Sequence, residues 1–362
     1  MNLRLQLRKF EETFDMEKAV CNHGFFMMAP NVWNHQRKSL SRPLTLSDSS
    51  STNVTISHPR PHPFLVIQVH SINNISRADE EIILQQVARM LRISADDVCD
   101  VAEFQQLHDA AKMSGFGRIF RSPSLFEDMV KSILLCNTTW ERTLDMVSKL
   151  CVLQSKLADG TVKSPLQSKK RKRVLRPASL QSKKRKRVLE PRKETIGNFP
   201  SAKEIASLDK YLINEHCKLG YRANWIVKLA NMVESGSLNL EEIERRDVGA
   251  EQVFNQLIKL TGFGAFVTAT VLMCIGHYRL VPSDTETLRL LQEVHGKEEC
   301  SKETLEKVAQ SFYERYSPFQ SLAYWFDLIQ NYETKLGKLS ELSHCDYKRV
   351  GGCSFVKQLK AD

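Results

Sequence analysis

Residues 253–276 read VFNQLIKLTGFGAFVTATVLMCIG, the pattern of a helix, a four-residue turn and a second helix. Gly262 and Gly264 flank Phe263, so the turn backbone can adopt conformations closed to other residues and can approach another molecule closely. A helix that begins at such a turn leaves its first amide N–H groups pointing outward. Together with the helix dipole they suit a phosphate, so Gly262, Phe263 and Gly264 are candidate contacts to the backbone of DNA, made without reading sequence. Any tight connection between helices could use the same turn, and the motif alone leaves that plainer reading open.

The next informative stretch is VPSDTE, Val281–Glu286, which puts Asp284 twenty residues beyond Gly264. As an isolated motif it is a helix start, with Ser283 and Glu286 at capping-box spacing and Asp284 a good N-cap residue. Taken together, Leu260, Gly262, Gly264, Pro282 and Asp284 resemble the signature of the helix-hairpin-helix (HhH-GPD) base-excision DNA glycosylase superfamily. That signature is an LxGxG hairpin followed about twenty residues later by Pro-x-Asp. The resemblance implies that Asp284 is the catalytic carboxylate while also capping its helix. It extends over most of residues 115–335. FEDMVKSILLCNTTW, Phe126–Trp140, is similar to the family helix that ends in a polar Asn or Gln run, which implies that Asn137 fills the gap left by a flipped base; a helix C-cap is the alternative. LGYRA, Leu219–Ala223, matches the turn before the helix that precedes the hairpin. SPFQSLAYW, Ser317–Trp325, resembles a helix of bacterial 3-methyladenine glycosylases, so Tyr324 and Trp325 are base-pocket candidates, with ordinary core packing as the bland reading.

Bifunctional members of the superfamily carry a lysine two residues after the second hairpin glycine, and that position here is Phe266. Without an amine there no Schiff base with the sugar is expected, so the resemblance implies a monofunctional glycosylase, with Phe266 able to stack on an alkylated base. An 8-oxoguanine-type enzyme is the alternative within the superfamily. Outside it, a noncatalytic nuclear DNA-binding protein that kept the hairpin is the main rival, and a nuclear scaffold the third reading. Retention of Asp284 after Pro282 argues against the first, and the hairpin against the second. The iron–sulfur members end in a four-cysteine loop, which Cys345 and Cys353 cannot supply; no cofactor and no metal are expected.

The whole-chain composition agrees but adds less. The chain has 362 residues, 42% of them hydrophobic, enough for one large core or two modest ones. No stretch approaches the roughly 18 apolar residues of a membrane helix, and MNLRLQLRKFEETFD meets acidic residues before any signal-peptide core develops, so an intracellular protein is expected. Nine scattered cysteines without a CxxC pair argue against disulfides and structural zinc. The net charge of +10 is concentrated: residues 165–193 hold 13 Lys or Arg and one acidic residue, leaving about −2 for everything else. This segment contains LQSKKRKRVL twice, at Leu166–Leu175 and Leu180–Leu189, and reads as a disordered insertion at 156–196. Its KKRKR clusters, which include Lys169 and Lys183, imply nuclear localisation through an import receptor and a second role in nonspecific DNA binding.

The expected architecture is mainly α (α+β). Residues 1–115 form a mixed region with an antiparallel sheet, its β-type runs at Asn2–Leu7, Gly24–Met28 and Phe64–Val69 separated by a Ser/Pro/His-rich stretch around 39–63. Residues 116–340 form the helical glycosylase region, and 341–362 a C-terminal tail. Within the helical region, Phe126, Met129, Val130, Ile133 and Leu134 are predicted to share one face of a helix opened by Ser124 and Glu127, and Ala223, Ile226, Val227, Ala230 and Val233 one face of another. The expected partner is double-stranded DNA carrying a damaged base, with no membrane, and the protein is expected to be a monomer.

Overall fold

The computed structural model describes residues 1–7, 14–70, 74–162 and 195–351. Lys169, Lys183 and the rest of both KKRKR clusters lie outside the described residues, as does Cys353. The fold is mainly helical, with an N-terminal five-stranded antiparallel sheet. No described helix is long and apolar enough to cross a membrane.

The strands are β1 (Asn2–Gln6), β2 (Val32–Asn34), β3 (Ser39–Thr45), β4 (Ser51–Ser57) and β5 (Phe64–Val69), in the order β1-β5-β4-β3-β2. Leu40 pairs with Ile56 and Ile56 with Ile67, so the inward residues of three strands form one apolar face. Two sequence expectations are corrected here. The stretch around 39–63 is not a spacer but holds the β3–β4 hairpin, because Thr52, Val54 and Ile56 alternate with Ser, Asn and Thr that face outward and disguise the period of two. Gly24–Met28 is not a strand: Gly24–Met27 is a 3-10 turn whose Phe25, Phe26 and Met27 are all buried, with Asn31 Nδ2 donating to the Phe25 carbonyl at 2.9 Å.

The helix Leu125–Leu135 begins where Ser124 places it, its hydroxyl accepting from Glu127 N at 3.3 Å. Yet the predicted single apolar face is too narrow. Every residue from Leu125 to Leu134 is buried, because the helix passes between the sheet and the other helices. Its polar residues are therefore compensated internally. Glu127 does not close a capping box but reaches Arg42 on β3, with Arg42 Nη2 to Oε2 at 2.9 Å and Lys131 Nζ to Oε1 at 2.7 Å. Asp128 accepts from Arg89 and from Ser122 N, both at 2.8 Å. In the helix Arg222–Glu234, Ala223, Ile226 and Ala230 are buried as expected, while Val227 and Val233 are only half-buried.

Residues at the edges of the expected insertion and within the expected C-terminal tail belong to the packed fold. Residues 156–158 belong to the helix Trp140–Ala158, and Gly197 N donates back to Cys151 O at 3.0 Å, so both flanks of the basic segment are ordered. Within the expected C-terminal tail, residues 341–351 pack on the fold: Tyr347 and Val350 are buried, and Trp140 Nε1 donates to Tyr347 O at 2.8 Å.

Burial alone would raise the Glu127 carboxyl, but Arg42 and Lys131 beside it bring it down to about 2 from an ordinary 4.5. Its stabilising contribution is therefore complete above pH about 4.5 and fades as the pH falls toward 2. Glu127→Gln should lower the unfolding free energy in urea titrations at pH 7 by roughly 3–5 kcal/mol, because it strands two buried cations. The triple replacement Arg42→Met, Glu127→Leu, Lys131→Met should recover most of that loss; a triple variant as unstable as the single one would contradict this account.

Candidate active site

The hairpin consists of the helices Ala250–Leu257 and Ala265–Ile275. Gly262 has φ +91°, and a Cβ there would lie 2.6 Å from the indole of Trp225, so both its conformation and its space exclude a side chain. Phe263 is buried, and its ring anchors the turn in the core. Gly264 is exposed and precedes the first free amides of Ala265–Ile275. The opposite end of that helix is held by three arginines: Arg92 donates to Met273 O and Cys274 O at 2.8 and 2.9 Å, Arg121 to Cys274 O at 2.9 Å, and Arg246 to Gly276 O at 2.8 Å. The carbonyl end is neutralised inside the protein and the amide end is presented outside it.

Asp284 is the N-cap of the helix Thr285–Arg289, and Thr287, not Ser283 with Glu286, completes the capping box. Its Oδ1 accepts from Glu286 N and Thr287 N, both at 3.0 Å, and lies 3.2 Å from the Thr287 hydroxyl. That hydroxyl is in turn 2.9 Å from the Tyr324 hydroxyl. Its Oδ2 takes no hydrogen bond from the described residues, and the residue lines a cavity of about 220 Å³. Burial raises the Asp284 carboxyl to about 6, with the negative charge of Glu286 adding to the rise and the backbone amides of Thr287 and Glu286 opposing it.

The cavity is walled by aromatic residues from separate parts of the chain. Phe266 comes from the second hairpin helix, Trp140 from the start of Trp140–Ala158, Trp325 and Tyr332 from Gln320–Leu336, and His23 from the N-terminal region. Tyr324 also lines it, but is almost wholly buried, and its hydroxyl is engaged with Thr287; it braces Asp284 more than it offers a stacking face. Asn137 sits outside the cavity mouth with φ +48°, after the end of Leu125–Leu135, and Arg222 fixes it there by donating to the Cys136 and Asn137 carbonyls, the latter at 3.1 Å. Its side-chain nitrogen is 3.4 Å from the hydroxyl of Tyr221, which is 48% exposed. Tyr221 packs edge-on against Trp225, the residue beneath Gly262. Thus Asn137, Tyr221 and the hairpin turn form one connected outer surface, and Asp284 lies within the cavity beside it.

Of the residues singled out from the sequence, Asp284, Phe266, Tyr324 and Trp325 line one cavity, whereas Gly262, Phe263, Gly264 and Asn137 do not line it. Sequence reasoning missed His23, Trp140, Tyr332 and the partnership of Tyr221 with Asn137. Tyr221 was in view inside LGYRA, where an aromatic residue followed by arginine at a turn is a signal for more than a turn.

No family model and no curated protein matches this chain. Among solved structures it is similar to the 3-methyladenine DNA glycosylase of Archaeoglobus fulgidus, with a TM-score of 0.55 and 17% identity over 92% of this chain and 99% of that one. It is also similar to the 8-oxoguanine glycosylase/lyase of Clostridium acetobutylicum in complex with double-stranded DNA, with a TM-score of 0.51 and 16% identity over 86% and 92%. MBOgg1 in complex with a low-affinity DNA ligand aligns with a TM-score of 0.50 and 18% identity over 79% and 87%. The chain therefore has the fold of the helix-hairpin-helix DNA glycosylases.

The two hairpin glycines should separate in experiment. Gly262→Ala meets both an unfavourable φ and the Trp225 ring, and should lower stability by roughly 1–3 kcal/mol in thermal or urea unfolding. A Cβ at Gly264 meets nothing within 4 Å, so Gly264→Ala should melt like the wild type while binding duplex DNA more weakly in a filter or anisotropy assay. Unchanged DNA affinity in that variant would remove the turn from the interface.

Proposed function

We propose that this chain is a monofunctional DNA glycosylase of base excision repair, which extrudes a damaged base from duplex DNA and hydrolyses its N-glycosidic bond. The observation that carries the proposal is the Asp284 carboxylate, with Oδ1 tied to the backbone and Oδ2 left without a hydrogen bond from the described residues, in a residue that lines an aromatic cavity beside the hairpin helix Ala265–Ile275. The hairpin amides hold a phosphate, and Asn137 with Tyr221 occupies the space that the base vacates, offsetting the few kcal/mol of unstacking. As the glycosidic bond breaks, the sugar gains oxocarbenium character. The ionised Asp284 stabilises that charge and orients or deprotonates the attacking water. Phe266 stands where a Schiff-base lysine would be required, so the strand is left uncut at the abasic site. Walls of Phe266, Trp140 and Trp325 favour an electron-poor alkylated purine over an oxidised one, through stacking and cation–π attraction. The KKRKR clusters direct the protein to the nucleus and add nonspecific phosphate contacts.

Incubating the protein with duplexes that each carry one lesion, then treating with alkali, should reveal abasic sites at 3-methyladenine in preference to 8-oxoguanine, with few breaks before alkali and no adduct trapped by borohydride. Asp284→Asn keeps the N-cap and removes the charge, so base release should fall by orders of magnitude while DNA binding persists. Wild-type excision should decline as the pH drops through about 6, where Asp284 takes up its proton. By the same sign, ionised Asp284 burdens the folded state, so the Asn variant should be at least as stable as the wild type at pH 8. Near-normal excision by a folded Asp284→Asn variant would move the chemistry elsewhere, and efficient borohydride trapping would end the monofunctional assignment. Separately, a tagged protein lacking Lys169–Arg173 and Lys183–Arg187 should spread into the cytoplasm; unchanged nuclear accumulation would refute the import role.

A further inference from the structure

His23 lines the same cavity as Asp284 but comes from the N-terminal region, at the entry to the Gly24–Met27 turn. It is only 2% exposed. Its Nδ1 lies 2.9 Å from the carbonyl oxygen of Phe120. A carbonyl can only accept, so Nδ1 carries the ring proton. Burial takes the imidazole down to about 3, with the charges of Arg92 and Lys131 acting in the same direction against the Phe120 hydrogen bond. The ring is thus neutral throughout the working range, and Nε2 is a bare acceptor. That nitrogen receives no hydrogen bond from the described residues, and the ring lines the cavity. The ring cannot turn to satisfy it elsewhere, since Trp325 packs edge-on at 4.6 Å and Phe25 lies at 4.3 Å on a tilted contact. The wall around it is mostly aromatic but also holds Thr138 Oγ1 and Trp325 Nε1, both buried and without a partner among the described residues. At the Nε2 position itself, an acceptor deprived of water once a base enters rewards a ligand that brings a donor and penalises one that brings another acceptor.

We propose that His23 is a specificity-determining residue of this pocket, its Nε2 accepting a hydrogen bond from an N–H group of the extruded base. The pocket then takes amine-bearing purines and rejects those that present a carbonyl oxygen at the same edge. This inference rests on the glycosylase reading of the cavity.

Two substitutions divide the functions of the ring. His23→Asn keeps an N–H within reach of Phe120 O but withdraws the acceptor from the cavity. His23→Gln extends an amide oxygen toward the Nε2 position and gives up the Phe120 bond. The measured quantity is the ratio of kcat/KM for 3-methyladenine, which has an exocyclic amine, to that for hypoxanthine, which has a carbonyl in its place. His23→Asn should lower this ratio at least about tenfold, while His23→Gln retains most of it. Circular dichroism and melting curves check that both variants fold. A His23→Asn ratio equal to that of the wild type overturns the proposal, as does an equal loss in both variants, which would mark the ring as structural. Titration of the wild type and both variants with the free bases 3-methyladenine and hypoxanthine, followed by tryptophan fluorescence, reads the same preference without catalysis. A wild type that releases no base from any lesion duplex would therefore defeat the glycosylase reading while leaving His23 to be judged on binding alone.

Discussion

Three guanidinium groups on the carbonyl end of the helix Ala265–Ile275 are the constraint on which the remaining architecture turns. They come from three places in the chain. Arg92 follows the helix Arg77–Met90, Arg121 belongs to the extended strap before Leu125, and Arg246 precedes the first hairpin helix. Arg92 is almost fully enclosed and also donates to Ile119 O at 2.6 Å and to Asp97 at 3.2 Å. So many charged groups can be buried only because each has a partner of fixed position, and that requirement fixes the hairpin relative to its surroundings. The far end of the same helix is where the chain meets solvent, and the position of Phe266 on the cavity wall follows from the same anchorage.

The sheet is attached by the same kind of device. Arg42 lies on the inward face of β3, among Leu40 and Leu44, and would be expensive to bury without Glu127 opposite it. Gln86 completes the junction, its amide both donating to Thr45 O at 2.8 Å and accepting from Thr45 N at 3.1 Å, so a side chain extends the hydrogen bonding of the strand. Through these contacts the N-terminal region is held firmly enough to contribute His23 and Phe25 to a cavity whose other walls lie more than a hundred residues away in sequence.

The legible part of this protein was the part coded locally. Gly262, Gly264 and the Pro282-x-Asp284 turn are short-range backbone requirements, and they can be read without knowing what packs on them. The start of the helix Leu125–Leu135 is legible because Ser124 marks it and the apolar residues after it recur at helical spacing. What remained hidden depends on distant partners. Glu127 looked like half of a capping box until Arg42, 85 residues earlier, came into contact with it. His23 has no local pattern at all; its tautomer is set by the Phe120 carbonyl and its orientation by Trp325. The β3–β4 hairpin was concealed by Ser, Thr and Asn on its outward face, a composition that serves turns as readily as strands.

The described residues on the two sides of the basic segment meet on a short length of a single helix. On the departing side Val162 N donates to Lys156 O at 2.9 Å; on the returning side Gly197 N reaches Cys151 O at 3.0 Å and Asn198 N reaches Gln154 Oε1 at 2.9 Å. Where two described ends of a chain are held this close, closure entropy grows only slowly with the length of chain between them, about 0.6 kcal/mol for each doubling. The fold on either side is thereby insulated from the length of chain between these anchors. A tandem copy of a ten-residue block could be gained there, and could equally be lost, without passing through a misfolded ancestor.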